Sequence, residues 1–129
     1  MRIAVFGLGY VGTVTAAGLA SRRHHVCGVD VDEMKVGLIR EGRSPVVEPG
    51  LDELVAAGVA KGFLTATTDA VEALERADVS LICVGTPSTP QGSTDLEYIR
   101  RAVTDIRAAD GHGRAYAGAN AGHRDQAAR

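Results

Sequence analysis

A glycine-punctuated turn between two apolar runs constrains this chain more than any other feature. Arg2-Ile3-Ala4-Val5-Phe6 leads into Gly7-Leu8-Gly9-Tyr10-Val11-Gly12, and a second run, His25-Val26-Cys27-Gly28-Val29, ends on Asp30. Short apolar runs flanking a helix-length segment predict a strand, a helix from about Tyr10 to Arg22, and a second strand. In this spacing Gly7 permits the tight turn out of the first strand. Gly9 carries no Cβ, so a pyrophosphate can approach the backbone, and Gly12 lets helix and sheet pack closely. The helix then offers its unpaired N–H groups and positive dipole end to phosphate. Glycines at these spacings are a weak signal alone. Preceded by a strand, followed by a helix and answered by an acid at the end of strand two, they predict a dinucleotide-binding unit.

Asp30 selects between cofactors. A carboxylate accepts hydrogen bonds from both hydroxyls of an adenine ribose and repels a 2′-phosphate. Its neighbours are Val31, Asp32 and Glu33, with no arginine directly after the strand, so NAD is expected over NADP. Lys35, one helical turn on, is placed either at the ribose edge or on a solvated helix face, and spacing leaves the two even.

Asp32 to Glu41 predicts a second helix with Met34, Leu38 and Ile39 as its apolar positions and Gly42 as its stop. A proline-flanked segment follows, Arg43 to Gly50, and then a helix through Leu51, Leu54, Val55 and Val59 to Gly62. Glu48 and Asp52 invite a general-base reading. The preferred reading makes Glu48 the cap of a helix whose first residue is Pro49. Phe63 to Thr67 is a short third strand and Val79 to Val84 a fourth, expected to be covered on both faces. Asp69-Ala70-Val71-Glu72 and Thr94-Asp95-Leu96-Glu97 carry capping-box spacing, which places helices at about 70–77 and 95–106. For the helix after Gly9, the expected inner face is Val11, Val14, Gly18 and Leu19, with Thr15 and Ala17 allowing close approach. His24 and His25 are expected to be surface residues of the following turn.

The alternation predicts an α/β chain: a Rossmann-type doubly wound parallel sheet, incomplete at about four strands, in the order 3-2-1-4. Gly85 and Thr86 then lie at the carboxyl end of strand four, beside the point where strand order reverses, and are expected to contact the cofactor.

Composition narrows the function classes. The 129 residues are 45% apolar and 23% charged with a net charge of -2, ordinary values for a folded domain. No apolar stretch approaches a membrane span and no signal-peptide pattern opens the chain, so a cytoplasmic protein with no membrane partner is expected. Residues 1–106 hold ten Lys/Arg against fourteen Asp/Glu, and no basic patch interleaved with aromatics suggests nucleic acid. Cys27 and Cys83 both sit in predicted strands and read as buried thiols, not a disulfide or a metal pair. No metal site and no catalytic residue are assigned. Residues 107–129 contain eight Ala, four Gly and four Arg but no Val, Ile, Leu, Met or Phe. Such a tail has little to bury, and the expectation is disorder after a domain at 1–106, with a frameshift or truncation near residue 107 as its cause.

Ile3 to Gly12, Gly28-Val29-Asp30-Val31-Asp32, Ser44-Pro45-Val46-Val47-Glu48-Pro49-Gly50-Leu51 and Ile82-Cys83-Val84-Gly85-Thr86-Pro87-Ser88 together resemble the amino-terminal domain of the UDP-glucose/GDP-mannose dehydrogenase family. The segment from Arg43 to Leu51 separates that family from other dehydrogenases with the same fingerprint, and the wording leans toward its GDP-mannose 6-dehydrogenase branch. The resemblance covers roughly residues 1–106. It implies an NAD-dependent oxidoreductase of polysaccharide biosynthesis that oxidises the C6 alcohol of a sugar nucleotide to a carboxylate, in two hydride transfers through an enzyme-bound thiol adduct. Carried over by position, the NAD contacts are Tyr10 and Val11 at the fingerprint, Asp30 and Lys35 at the ribose, and Thr86 at the strand-four loop.

The resemblance also marks departures. The family's nucleophilic cysteine lies in a glycine-rich loop far downstream, and neither Cys27 nor Cys83 has that setting. The second half of the cofactor domain, the dimerising helix and the sugar-nucleotide domain have no counterpart here. The expectation is an NAD-binding portion, inactive alone. An NAD-sensing regulatory module and a non-functional truncated product are the alternatives; the sensor would not need the Arg43–Leu51 segment.

Overall fold

The computed structural model describes residues 1–83. Each apolar run becomes a strand: β1 is Arg2–Phe6, β2 His25–Val29, β3 Leu64–Thr67 and β4 Val79–Ile82. Four helices connect them: α1 Tyr10–Ser21, α2 Glu33–Arg40, α3 Leu51–Ala60 and α4 Ala70–Arg76. All strand pairs are parallel and the sheet order is β3-β2-β1-β4, as the alternation predicts. Register aligns Arg2 with His25 and Phe6 with Val29, so the glycine turn and Asp30 leave the sheet side by side. The start of β4 is tied to β1 twice: the Arg2 amide donates to the Asp78 carboxylate (3.0 Å), and the Asp78 amide donates to the Arg2 carbonyl (2.8 Å).

Strand alternation divides the interior between the two faces of the sheet. Ile3, Val5, Val26, Leu64 and Ala66 face α1, α2 and α3, where they pack with Ala16, Ala17, Ala20, Val36, Ile39, Leu51 and Val55. Ala4, Phe6 and Val29 face α4 and meet Ala70 and Ala73.

Two expectations about helices are corrected. The inner face of α1 consists of Gly12, Thr13, Ala16, Ala17 and Ala20, whereas Val11 and Val14 are 36% and 37% exposed. Helix α1 also packs on α3, where Gly58 leaves a Cβ position only 3.3 Å from the Ala20 Cβ, so the buried stripe has to be small. Side-chain size, not hydrophobicity, decides which face turns inward.

At α3 the cap is Gly50, in the left-handed region (φ 83°), and the helix starts at Leu51. Glu48 is exposed, provides no side-chain cap, and contributes only its backbone carbonyl to the Leu51 amide at 3.0 Å. Pro49 therefore lies before the helix. The acid that organises this segment is Asp52, which accepts from the Ser44 amide at 2.7 Å, while the Ser44 hydroxyl donates to the Val46 carbonyl at 2.6 Å.

Other helix signals are met more closely. Asp32 caps α2 by accepting from the Met34 amide, and Asp69 caps α4 by accepting from the Glu72 amide. Val36 and Ile39 form the buried positions of α2, while Met34, expected among its apolar positions, is exposed. The predicted helix at 95–106, the rest of the strand-four loop and the 107–129 tail lie outside the described residues.

Candidate functional site

At the carboxyl end of β1, Gly7 takes φ 102°, a conformation that side chains other than glycine rarely adopt. Its amide continues the ladder to the Val29 carbonyl at 2.8 Å, so the turn stays anchored to β2. Gly12 meets this turn from α1. A Cβ at position 12 would lie 1.6 Å from the Gly7 carbonyl oxygen and 3.5 Å from the Cys83 Cβ. That close approach brings the start of α1 directly over the end of β1. At Gly9, by contrast, a Cβ would meet no atom of the described residues within 4 Å. Two of the three glycines thus serve backbone geometry, and the third leaves open space.

Gly9 is the N-cap of α1 and provides no side-chain cap. The first helical bond runs from the Thr13 amide to the Gly9 carbonyl at 3.0 Å. The amides of Tyr10, Val11 and Gly12 precede it, and α-helix geometry gives such first-turn amides no partner inside the helix. Tyr10 and Val11 are exposed on this first turn. A backbone donor cluster at a helix start, with no side chain standing over it at Gly9, suits a phosphate group.

Asp30 faces the loop. One carboxylate oxygen accepts from the Leu8 amide at 2.8 Å and the other from the Asp32 amide at 2.9 Å. The acid is only partly buried. A carboxylate has about four lone-pair sites, so two such bonds leave acceptor capacity for ribose hydroxyls. Lys35 lies on the first turns of α2, half-buried, beyond the Asp32 cap. The structure therefore brings together Gly7, Gly9, Tyr10, Val11, Gly12 and Asp30, with Lys35 one element further. Gly85 and Thr86 lie outside the described residues.

Sequence reading missed Leu8 and Thr13. Leu8 is fully buried, and a Cβ at Gly28 would come within 2.8 Å of its Cδ2, so the glycine in β2 makes room for it. Thr13, fully buried as well, donates its hydroxyl to the Leu8 carbonyl at 3.1 Å. A polar residue directly after the third glycine, on the helix face that meets the sheet, was the available signal.

Both cysteines are free. Burial pushes the Cys27 thiol up, and Glu72 adds to the rise against a hydrogen bond from Thr65 and the nearby Arg40 and Arg76. Burial alone pushes Cys83 up. Neither is arranged as an activated nucleophile, which needs a lowered pKa or an adjacent base. A cavity of about 610 Å³ opens elsewhere, toward the amino ends of β1 and β2, among Arg2, His25, Cys27, Thr65, Glu72 and Arg76. That cavity has neither the helix start nor Asp30, so the donor cluster and the acid lie together at the glycine turn and not in it. Among the described residues no group of three metal-ligating side chains occurs, and no helix is long and apolar enough to cross a membrane.

The family model for the NAD binding domain of the UDP-glucose/GDP-mannose dehydrogenase family matches residues 1–114. The chain belongs to that family. It is 54% identical over 106 residues to a GDP-mannose 6-dehydrogenase of Pseudomonas putida, covering 82% of this chain and 24% of that protein. With a UDP-glucose 6-dehydrogenase of Rhizobium meliloti it shares 44% identity over 109 residues, covering 84% and 25%. Among solved structures, GDP-mannose dehydrogenase from Pseudomonas aeruginosa superposes with a TM-score of 0.85 at 42% identity, over 93% of this chain and 28% of the other. The chain thus spans about a quarter of the length of the curated relatives it matches.

Proposed function

We propose that this chain binds NAD, as the cofactor-binding portion of a sugar-nucleotide 6-dehydrogenase of the GDP-mannose type. The observation that carries the reading is the 2.8 Å bond between the Asp30 carboxylate and the Leu8 amide, which sets the ribose-selecting acid against the glycine turn. In this reading the pyrophosphate lies over Gly9 and receives backbone N–H groups from the start of α1. Asp30 takes the adenine ribose hydroxyls, and with Asp32 and Glu33 beside it a 2′-phosphate is repelled. Lys35 approaches from α2, and the reading counts Gly85 and Thr86, which follow β4 in the sequence, among the cofactor contacts. NAD, when bound, supplies the hydride acceptor; the chain's own groups bind and orient it.

The substrate class follows from the relatives: GDP-mannose first, UDP-glucose second, each oxidised at C6. Cys27 and Cys83 do not supply the nucleophile in this reading, so the 129 residues bind cofactor without turning over sugar nucleotide. The family assignment and the Arg43–Leu51 segment favour this reading over a free-standing NAD sensor. The cytoplasm, as the compartment holding both NAD and sugar nucleotides, is the location it implies.

Calorimetric titration of the full chain with NAD and NADP tests the binding. Saturable NAD binding with weaker NADP binding is expected; no heat at millimolar NAD defeats the proposal. The same preparation, given GDP-mannose or UDP-glucose with NAD, is expected to produce no NADH absorbance. Turnover would overturn the assignment of Cys27 and Cys83 as bystanders.

A further inference from the structure

Two consecutive peptide groups of the glycine turn are each held from one side. The Gly7–Leu8 peptide gives its N–H to Asp30 at 2.8 Å, and its carbonyl points at Gly12, where an added Cβ would come within 1.6 Å of the oxygen. The Leu8–Gly9 peptide gives its carbonyl to the Thr13 hydroxyl at 3.1 Å. A trans peptide is planar, with its C=O and N–H pointing to opposite sides. Drawing the Leu8 carbonyl inward onto Thr13 therefore turns the Gly9 N–H outward, and among the described residues nothing stands within 4 Å of where a Cβ at position 9 would lie. Among the described residues, that N–H has no protein acceptor.

We propose that Thr13 is a positioning residue for the dinucleotide: by holding the Leu8 carbonyl inward it aims the Gly9 N–H at the phosphate position before the cofactor arrives. The inference rests on the NAD-binding reading above. Thr13 has 0% exposure, so it offers no surface for direct contact with a ligand. The Leu8 side chain, fully buried against Gly28, acts as the peg that stops the two peptides from rotating together. Pre-orientation matters because a donor already aimed at an anion costs nothing to order on binding. A flipped Leu8–Gly9 peptide would instead present a carbonyl oxygen to a phosphate.

Thr13→Val keeps the shape and removes the hydroxyl, whereas Thr13→Ser keeps the hydroxyl and loses a methyl group. NAD affinity, measured by calorimetry on the full chain, is expected to fall about tenfold in Thr13→Val, the scale of one hydrogen bond to a charged acceptor. Thr13→Ser is expected to stay within about threefold of wild type, less than the loss of such a bond. A merely structural Thr13 would lower the melting temperature and leave the affinity of the folded protein unchanged, so equal NAD affinity in Thr13→Val overturns the proposal. If wild type itself binds no NAD, the functional reading has failed instead.

Amide hydrogen exchange on wild type keeps the test alive should Thr13→Val not fold. In the free protein the Leu8 amide is expected to be protected and the Gly9 amide to exchange freely; NAD should then slow Gly9. A Gly9 amide already protected without NAD, or indifferent to it, means the peptide is not aimed outward and sinks the idea.

Discussion

One methyl group at position 12 and one at position 9 are the same chemical change with opposite expected consequences. At Gly12 the added carbon would sit 1.6 Å from the Gly7 carbonyl, so α1 must lift off the end of β1. Gly12→Ala is expected to cost about 3 kcal/mol or more, the upper end of overpacking penalties, read as a lower urea midpoint at unchanged slope. At Gly9 the same carbon meets nothing among the described residues, and the backbone (φ -80°) accepts it. Gly9→Ala is expected to change stability by less than about 1 kcal/mol while weakening NAD binding in a titration, because the methyl occupies the phosphate approach. The thiols give a pH test at the same scale. Burial raises both Cys27 and Cys83, so an unfolded chain releases their protons at a lower pH than the folded one does. Stability should therefore fall as pH rises through the ordinary thiol range, about 8.5 and above. Substituting both cysteines with alanine should flatten that part of the urea-midpoint profile against pH; an unchanged slope would assign it to other groups.

Three helices end in the same way, and one of them uses the wrong residue for it. After α2 the amides of Gly42 and Arg43 return to the Ile39 and Leu38 carbonyls, and after α3 those of Gly62 and Phe63 return to Val59 and Gly58. After α1, Arg23 and His24 do the same to Ala20 and Leu19. Each motif needs its first outside residue in the left-handed region, which Gly42 and Gly62 enter freely and Arg23 enters at φ 72°. Arg23→Gly is expected to stabilise the chain by about 1 kcal/mol, visible as a higher urea midpoint; no gain would mean that the arginine side chain makes up the difference. These endings also show what sequence alone could convey. Gly42 and Gly62 announce their turns because glycine is the usual occupant, and Asp69 announces a cap because a short acid with Glu three residues on has one favourable use there. The α1 stripe was not legible: Gly12, Thr13, Ala16, Ala17 and Ala20 face inward because α3 and the glycine turn press close, a tertiary condition that apolar periodicity cannot express. The Glu48 cap failed for a related reason. Asp52 and Gly50 together fold the Ser44–Gly50 segment into a hook that delays α3 to Leu51. Asp30 was legible as an acid at the end of β2. That it would also hold the Leu8 amide depends on the parallel register of β1 and β2.

Across the whole molecule, the described residues form one parallel sheet whose central strand, β1, lies between β2 and β4. The proposed cofactor contacts come from both members of the central pair: the Gly7–Gly12 turn follows β1 and Asp30 follows β2. Bound NAD would therefore tie together elements that must separate when the chain unfolds, and a ligand that binds only the folded state stabilises it by mass action. At a free NAD concentration a hundredfold above Kd the gain is about 2.7 kcal/mol, which for a domain near this size raises the melting temperature on the order of 10 °C. The rise should continue with the logarithm of NAD concentration without a plateau. NADP should shift the curve less at equal concentration, since Asp30, already committed to the Leu8 and Asp32 amides, cannot swing away from a 2′-phosphate without releasing the loop. Asp30→Asn separates the two roles. An amide oxygen can still accept from Leu8, while the amide NH2 faces the Asp32 N–H and gives up that second bond, so the loop is held at some cost in stability; the charge proposed to exclude NADP is gone, and the NAD and NADP shifts should converge. Equal shifts in the wild-type chain, or none with either cofactor, would show that the acid at the end of β2 serves the loop alone.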